Sequence, residues 1–472
     1  MSKTKIIATV GPACNTPEKL WALVQAGVNV FRLNFSHGTH EEKLGIINMV
    51  RDLNDKYNQN IAIIADIQGP KLRIGEVENN LIILEKDDVI TFTNEKKIGN
   101  KDEVYISYPN FNKDVKAGDT ILLDDGKLDL KVTEVFETGK VKARVEIGGE
   151  LSSKKGVNLP NTKISLPCLT EKDLADVEFC IQHDVDWIAL SFVRKPKDIK
   201  DLREILVARG SLIKIIAKIE KPEAVESITE IVREADAVMV ARGDLGVELP
   251  VEMVPMVQKT IIRKCIHRAK PVIIATQMME SMMDRTKPNR SEITDVANAV
   301  LDGADAVMLS GETAVGKYPE LVVKTMRKIT DEVEKEETVY HKNLIPMPHS
   351  PTFLSDALCY NACKISDDVD AKALIGMTRS GYTAFMLSSF RPKSNIYIFS
   401  DRKSVLNRLS LCWGVQSYYY DKFVGTDETI KDVQEILTEK GMLNSGDICI
   451  NTGTMPLNEQ GLANMLKITK IQ

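Results

Sequence analysis

No apolar run in this chain approaches the roughly 20 residues that a bilayer-spanning helix needs. No leader pattern precedes the first strand-like run either, because Lys3 and Lys5 open onto an apolar stretch too short for a signal h-region. An excess of one charge is also missing. With 62 Lys and Arg against 67 Asp and Glu the net charge is −5, so nothing points to a nucleic-acid surface or a basic membrane face. The eight cysteines, at positions 14, 168, 180, 265, 359, 363, 412 and 449, include no Cys-x-x-Cys pair and have no clustered His. They read as reduced, buried thiols of a cytoplasmic protein rather than as disulfides or zinc ligands. Cys359 and Cys363 are four apart on an expected helix, where the plain reading is a shared core face. What is there is a globular composition, 43% hydrophobic and 27% charged over 472 residues, sufficient for about two to four domains and pointing to small-molecule chemistry.

Eight short apolar runs recur, most of them followed by a helical pattern: 5–10, 28–36, 61–67, 187–193, 214–220, 237–243, 271–276 and 306–311. Strand alternating with helix predicts a parallel sheet, and eight such units predict a closed (β/α)8 TIM barrel, an α/β fold. Residues 26–31, 184–189, 235–240 and 304–309 echo one another, each with a small or acidic turn before the strand. The rhythm breaks after the third run. Residues 70–168 are rich in Val, Ile and Thr runs broken by Gly-Asp, Asp-Asp-Gly and Gly-Gly turns, which predicts an all-β domain inserted after strand 3, a lid over the barrel mouth. The expected order is barrel (1–69), lid (70–168), barrel again (169–338) and a smaller C-terminal α/β domain (339–472), with strands near 374–378, 395–400 and 447–451.

The chemistry concentrates at the ends of these runs. Lys218 and Glu220 are two apart on one strand and so project the same way, and Asp244 ends the next apolar run. Two carboxylates from neighbouring strand ends suit one Mg²⁺, leaving positions free for substrate and water, and the Lys beside them suits a migrating phosphoryl group. In Val30-Phe-Arg-Leu-Asn-Phe-Ser36, strict alternation sets Arg32, Asn34 and Ser36 on one face, where three polar groups call for a ligand or ion. Asp66 ends the third run in the same layer, or is a simple turn cap. Gly243 and Asp244 follow a strand and open onto a helix whose free N–H groups suit a carboxylate or phosphate. The Thr276 hydroxyl is placed to touch substrate, with the Met-rich segment after it read as helix packing. Glu312 closes the eighth run, where barrels bind phosphate, or pairs with an Arg. His37 is a candidate nucleotide contact.

At the level of long motifs the chain resembles the pyruvate kinases. The matching segments are 5–14, 31–38, 154–160, 217–220, 239–246, 275–282 and 295–314, in order through the barrel, and the tail resembles the family's C-terminal regulatory domain more loosely. The resemblance implies transfer of the phosphoryl group of phosphoenolpyruvate to ADP, giving pyruvate and ATP. It implies Mg²⁺, with Mn²⁺ as a substitute, held by Glu220 and Asp244. Lys218, Arg32 and Thr276 are then catalytic, and Gly243 and Asp244 receive the substrate carboxylate. Asn34, Phe35, Ser36, His37, Arg73 and Lys155 bind nucleotide. A homotetramer is implied too. The competing reading is a Mg²⁺-dependent barrel aldolase or lyase acting on pyruvate-like acids, which needs neither Lys218 nor a lid.

One departure from the family pattern carries an expectation. Many members bind K⁺ near Asn34, Ser36 and Asp66 and carry Thr-Lys and then Glu after the Asp. Here Ile67 and Gln68 follow Asp66, and Lys71 stands where the Glu would be, as in the K⁺-independent branch. An ammonium there supplies the charge that the ion otherwise supplies, and K⁺ is expected to be unnecessary. In the tail, Thr378, Arg379, Ser380, Gly381 and Thr383 form a Gly-containing, hydroxyl-rich turn, read either as a plain loop or as a cradle for an effector phosphate. Glu459 in the loop 452–464 disfavours a second phosphate, leaving a sugar monophosphate or no effector.

Overall fold

The computed structural model describes every residue except 1, 161, 341–343, 423 and 456–460. Eight parallel strands close into a barrel: β1 (Lys5–Thr9), β2 (Val30–Asn34), β3 (Ala62–Ile67), β4 (Trp187–Leu190), β5 (Lys214–Ile219), β6 (Ala237–Ala241), β7 (Val272–Ala275) and β8 (Ala306–Leu309), with β8 pairing back onto β1. Each is the heart of one of the eight apolar runs. Because both faces are covered, these strands are near-continuously apolar rather than alternating. Ile7, Val30, Ile64, Trp187, Ile216, Met239, Ile273 and Met308 fill the interior, so the barrel is a packed core and its chemistry is confined to the ends of the strands. Helices follow the strands and present their apolar stripes to the outside of the barrel. Their starts are written locally. Thr39 with Glu42, and Thr170 with Asp173, form reciprocal capping boxes.

The insertion after β3 is a six-stranded sheet with a separate two-stranded pair, and it has its own core around Phe92, Tyr108, Phe111 and Leu130. The C-terminal unit is a five-stranded sheet in the order Val415–Tyr419, Asn395–Ser400, Ala373–Met377, Ile448–Gly453, Met465–Lys470, parallel except for the last strand. The sequence showed three of these strands. The two it did not show are the edge strands, whose residues are half-exposed and carry no continuous apolar run.

This unit packs on the N-terminal end of the barrel. Leu411 enters the interior core, Lys5 Nζ donates to the carbonyl of Val415 at 2.7 Å, and Arg391 pairs with Asp305 just ahead of β8 at 3.0 Å. All eight cysteines are free and buried, and Cys359 and Cys363 do share a core. Among the described residues no helix is long and apolar enough to cross a membrane.

Candidate active site

At the C-terminal mouth of the barrel, β1, β2, β3 and β5 each deliver a polar side chain to one layer. Register explains the meeting: Thr9 lies opposite Arg32, and Asn34 opposite Asp66. Arg32 donates through Nε to Asp66 Oδ2 at 2.7 Å and through Nη1 to Thr9 Oγ1 at 3.0 Å. The Lys218 ammonium reaches Asp66 Oδ1 at 3.1 Å, Glu220 Oε1 at 2.8 Å and Ser191 Oγ at 2.7 Å. Ser191 passes its own proton to the carbonyl of Ile67 at 2.7 Å, and the N–H of Phe192 donates to Glu220 Oε2 at 2.9 Å. Two cations and two carboxylates thus share one nearly dry layer.

Their protonation follows from this arrangement. Burial by itself would raise the Asp66 pKa, but Lys218 and Arg32 outweigh it and hold the carboxyl below its usual value. Burial disfavours the Lys218 charge, yet Asp66 and Glu220 hold the ammonium above the ordinary lysine value. Glu220 is shifted upward, first by burial and then by Asp244, with Lys218 opposing both. Asp244 is thus close enough to Glu220 to disfavour its charge. Among the described residues there is no group of three or more His, Cys, Asp and Glu able to hold a metal.

On the β6–β7 side, the helix Arg242–Glu248 begins directly after β6. The N–H of Gly243, one of the donors the sequence assigned to an anion, is taken by Thr276 Oγ1 at 2.7 Å, and that hydroxyl donates to the carbonyl of Ala275 at 2.6 Å. Thr276 and Gln277 have φ of 64° and 55°, and Phe192 has 56°. For a β-branched residue this is strain of about 1–3 kcal/mol. Arg242 restrains it, donating to the carbonyl of Thr276 at 2.8 Å while paired with Asp295 at 2.6 Å.

Several readings need correction. Arg32, Asn34 and Ser36 do not share one strand face, because β2 ends at Asn34; Arg32 is paired as above, and the Asn34 side-chain oxygen accepts the N–H of Ser36 at 3.0 Å. Among the described residues Glu312 pairs with no Arg; it accepts the N–H groups of Met279 and Ser310 and so ties the β7 loop to β8. The Met-rich segment is a short 3-10 turn, Glu280–Met283, although Met278, Met279 and Met282 are fully buried as packing residues. Both oxygens of Asp66 are taken by Arg32 and Lys218, and Lys71 lies beside Gly156 in a narrow cleft with Phe192, Lys221 and Asp244.

The remaining candidates sit apart. Phe35 is buried and gives its N–H to the Asp66 carbonyl, and His37 is exposed. Arg73 and Lys155 stand in the inserted domain, Arg73 donating to the carbonyl of Lys154 at 2.9 Å and Lys155 paired with Asp124 at 2.8 Å. Thr378, Arg379, Ser380 and Thr383 line a distant cleft of about 480 Å³ between the C-terminal unit and barrel residues such as Arg203 and Lys214. Thr9 and Ser191 were missed, although Thr9 is the last residue of β1 and Ser191 directly follows β4, the strand-end position that located Asp66 and Thr276. Ser191 now has a clear place as the acceptor of the Lys218 ammonium.

Comparison with known proteins decides the family. A family model described as pyruvate kinase, barrel domain, matches residues 1–323, and one described as pyruvate kinase, alpha/beta domain, matches 356–469. The chain belongs to the pyruvate kinase family. It is accordingly a phosphotransferase. Among its relatives are the pyruvate kinases of Staphylococcus epidermidis, 43% identical over 99% of this chain and 80% of that one, and of Geobacillus stearothermophilus, 41% identical with the same coverage. A crystal structure of a pyruvate kinase from Cryptosporidium parvum superposes with a TM-score of 0.93 at 34% identity, covering 100% of this chain and 96% of that one.

Proposed function

We propose that this chain transfers the phosphoryl group of phosphoenolpyruvate to ADP, releasing pyruvate and ATP, with Mg²⁺ required and K⁺ not. The observation that carries the reading is the Lys218 ammonium held between Asp66 and Glu220, with Arg32 on the far side of Asp66. Preset cations aimed at one point are what a phosphoryl group spreading charge over its oxygens needs. Lys218 and Arg32 bind that group from two sides. Gly243, Asp244 and Thr276 orient the substrate carboxylate, and Thr276 takes part in delivering a proton to the enolate that remains. Glu220 and Asp244 would hold Mg²⁺, which supplies charge neutralisation between the substrates. Asn34, Phe35, Ser36, His37, Arg73 and Lys155 receive the nucleotide as the lid closes and excludes water.

The same reading places the domain boundaries at 69/70, 168/169 and 338/339 and the enzyme in the cytoplasm. A homotetramer is supported by the resemblance and by the exposed apolar residues Val251, Met253 and Met256 on one stretch of the barrel surface. In the C-terminal cleft the Thr378 hydroxyl accepts the N–H of Gly381 at 3.0 Å, shaping a turn suited to one sugar-phosphate group; Glu459 lies outside the described residues.

Lactate dehydrogenase coupled to phosphoenolpyruvate and ADP tests the reaction. Run in tetramethylammonium salt at constant ionic strength, it tests the cation. Activity without K⁺ should be nearly full, because on lid closure the Lys71 ammonium takes the place K⁺ would have near Asn34, Ser36 and Asp66. Lys71→Glu should create a K⁺ requirement. Strong K⁺ activation of the unaltered chain sinks that part of the proposal.

A further inference from the structure

Glu248 is a carboxylate that the reaction as described leaves unused. It ends the helix Arg242–Glu248 and is buried. Its Oε1 accepts two hydrogen bonds, from Asn158 Nδ2 at 2.7 Å and from Lys221 Nζ at 2.5 Å. Its Oε2 is buried and has no hydrogen-bond partner among the described residues. An unfilled polar oxygen in a dry place is costly, so Glu248 depends on the two bonds that its other oxygen makes.

The three residues come from three parts of the chain. Asn158 lies on Val157–Asn158, the last strand of the lid before the chain re-enters the barrel. Lys221 directly follows Glu220, and its ammonium stands 5.8 Å from the centre of the Phe192 ring, on the residue whose N–H holds Glu220. Glu248 closes the helix that carries Asp244 in its first turn. One carboxylate oxygen therefore joins the lid to both segments that bear the candidate Mg²⁺ ligands.

We infer that Glu248 is a positioning residue that couples lid placement to the two metal-site carboxylates, with Asn158 as its contact on the lid and Lys221 as its contact beside Glu220. The inference rests on the lid and Mg²⁺ reading above. When the lid swings open, Asn158 leaves and Lys221 alone holds Glu248. When it closes, Asn158 returns and the lid is registered against the segments that carry Glu220 and Asp244. A carboxylate that was merely a brace would lower stability when disturbed and leave the two substrates equally affected.

The test uses the full chain spin-labelled at Lys101→Cys in the lid and Lys287→Cys on the barrel rim, both exposed positions; the eight native cysteines are buried and stay unlabelled. In the otherwise unaltered chain, Mg²⁺ and ADP should narrow and shorten the label distance. In Asn158→Ala that narrowing should be largely lost, the KM for ADP should rise about 5- to 10-fold, and the KM for phosphoenolpyruvate should change less than about twofold. Asn158→Asp, which sets a second carboxylate against Glu248, should hold the lid further open still. A chain that closes normally in both variants, with KM values for the two substrates moving together or not at all, overturns the inference alone. If the unaltered chain shows no closure with nucleotide, the lid reading fails and the inference with it.

Discussion

At the C-terminal mouth of the barrel the buried charges face one another; at the opposite end Lys3, Lys5 and Arg391 donate chiefly to backbone carbonyls. In the mouth, Arg32, Lys218, Asp66 and Glu220 are held by each other's side chains within 3.1 Å. At the base, the Lys3 ammonium donates to the carbonyls of Pro392, Lys393 and Ser394 at 2.8, 2.6 and 2.9 Å and stands about 5 Å from the centres of the Tyr340 and Trp413 rings. Lys5 donates to the Val415 carbonyl, and Arg391, 1% exposed, donates to the Gly303 carbonyl at 2.7 Å as well as to Asp305. A carbonyl fixed in a loop has no other conformation to adopt, so these contacts fasten one domain to another. A side chain paired with a side chain can exchange its partner for a ligand. Barrel enzymes follow the same division, with chemistry at the C-terminal end and stability at the other.

The two ends also respond oppositely to pH. Burial pushes Lys3 down to about 7 and Lys5 to about 8, whereas Lys218 is held above its usual value.

The comparison breaks most visibly if a mouth charge proves to be only structural. Lys218→Met should lower kcat about 10³-fold or more, with the circular dichroism spectrum and cooperative melting preserved. A variant keeping a tenth of the rate would make the mouth no different from the base. Next in size, Arg391→Met should remove about 3 kcal/mol of stability by leaving Asp305 buried without its cation. Its KM values should stay within about twofold of the parent, and a large KM change with an intact melting point would reverse the assignment.

A smaller effect separates carboxylates within the mouth. Glu220→Gln and Asp244→Asn should each raise the Mg²⁺ concentration for half-activity at least about tenfold, read by Mg²⁺ titration, and curves superimposable on the parent would remove both from the metal site. The smallest effect is in the pH dependence of melting. Lys3 and Lys5 bind protons more weakly folded than unfolded, so stability rises with pH from about 7 towards 10.5. Lys218 contributes the opposite way, its stabilisation being complete below 10.5 and lost only as pH climbs through its still higher folded value. Melting temperature should therefore rise by about 2–4 °C between about pH 7 and 9, and Lys3→Met should flatten that rise. An unchanged slope in that variant would show that other groups set it.

The sequence by itself determined the eight strands, the all-β insertion between the third and fourth, and the charged or hydroxylated residues waiting at strand ends. All of these are local properties. Apolar runs, turn residues and the alternation that puts Lys218 and Glu220 on one side depend only on neighbours a few positions away. Tertiary structure decided who meets whom. Lys218 is bonded to Ser191 and shares Asp66 with Arg32, a choice made by the register of strands far apart in the chain. It also decided that the Asn34 side chain accepts the Ser36 N–H, that Glu312 serves backbone N–H groups, that Thr276 is forced to a positive φ, and that Asn158 reaches Glu248 from the inserted domain. The C-terminal edge strands escaped notice because half-exposed strands bury too little apolar surface to leave a pattern, and only the neighbouring strand holds them in place.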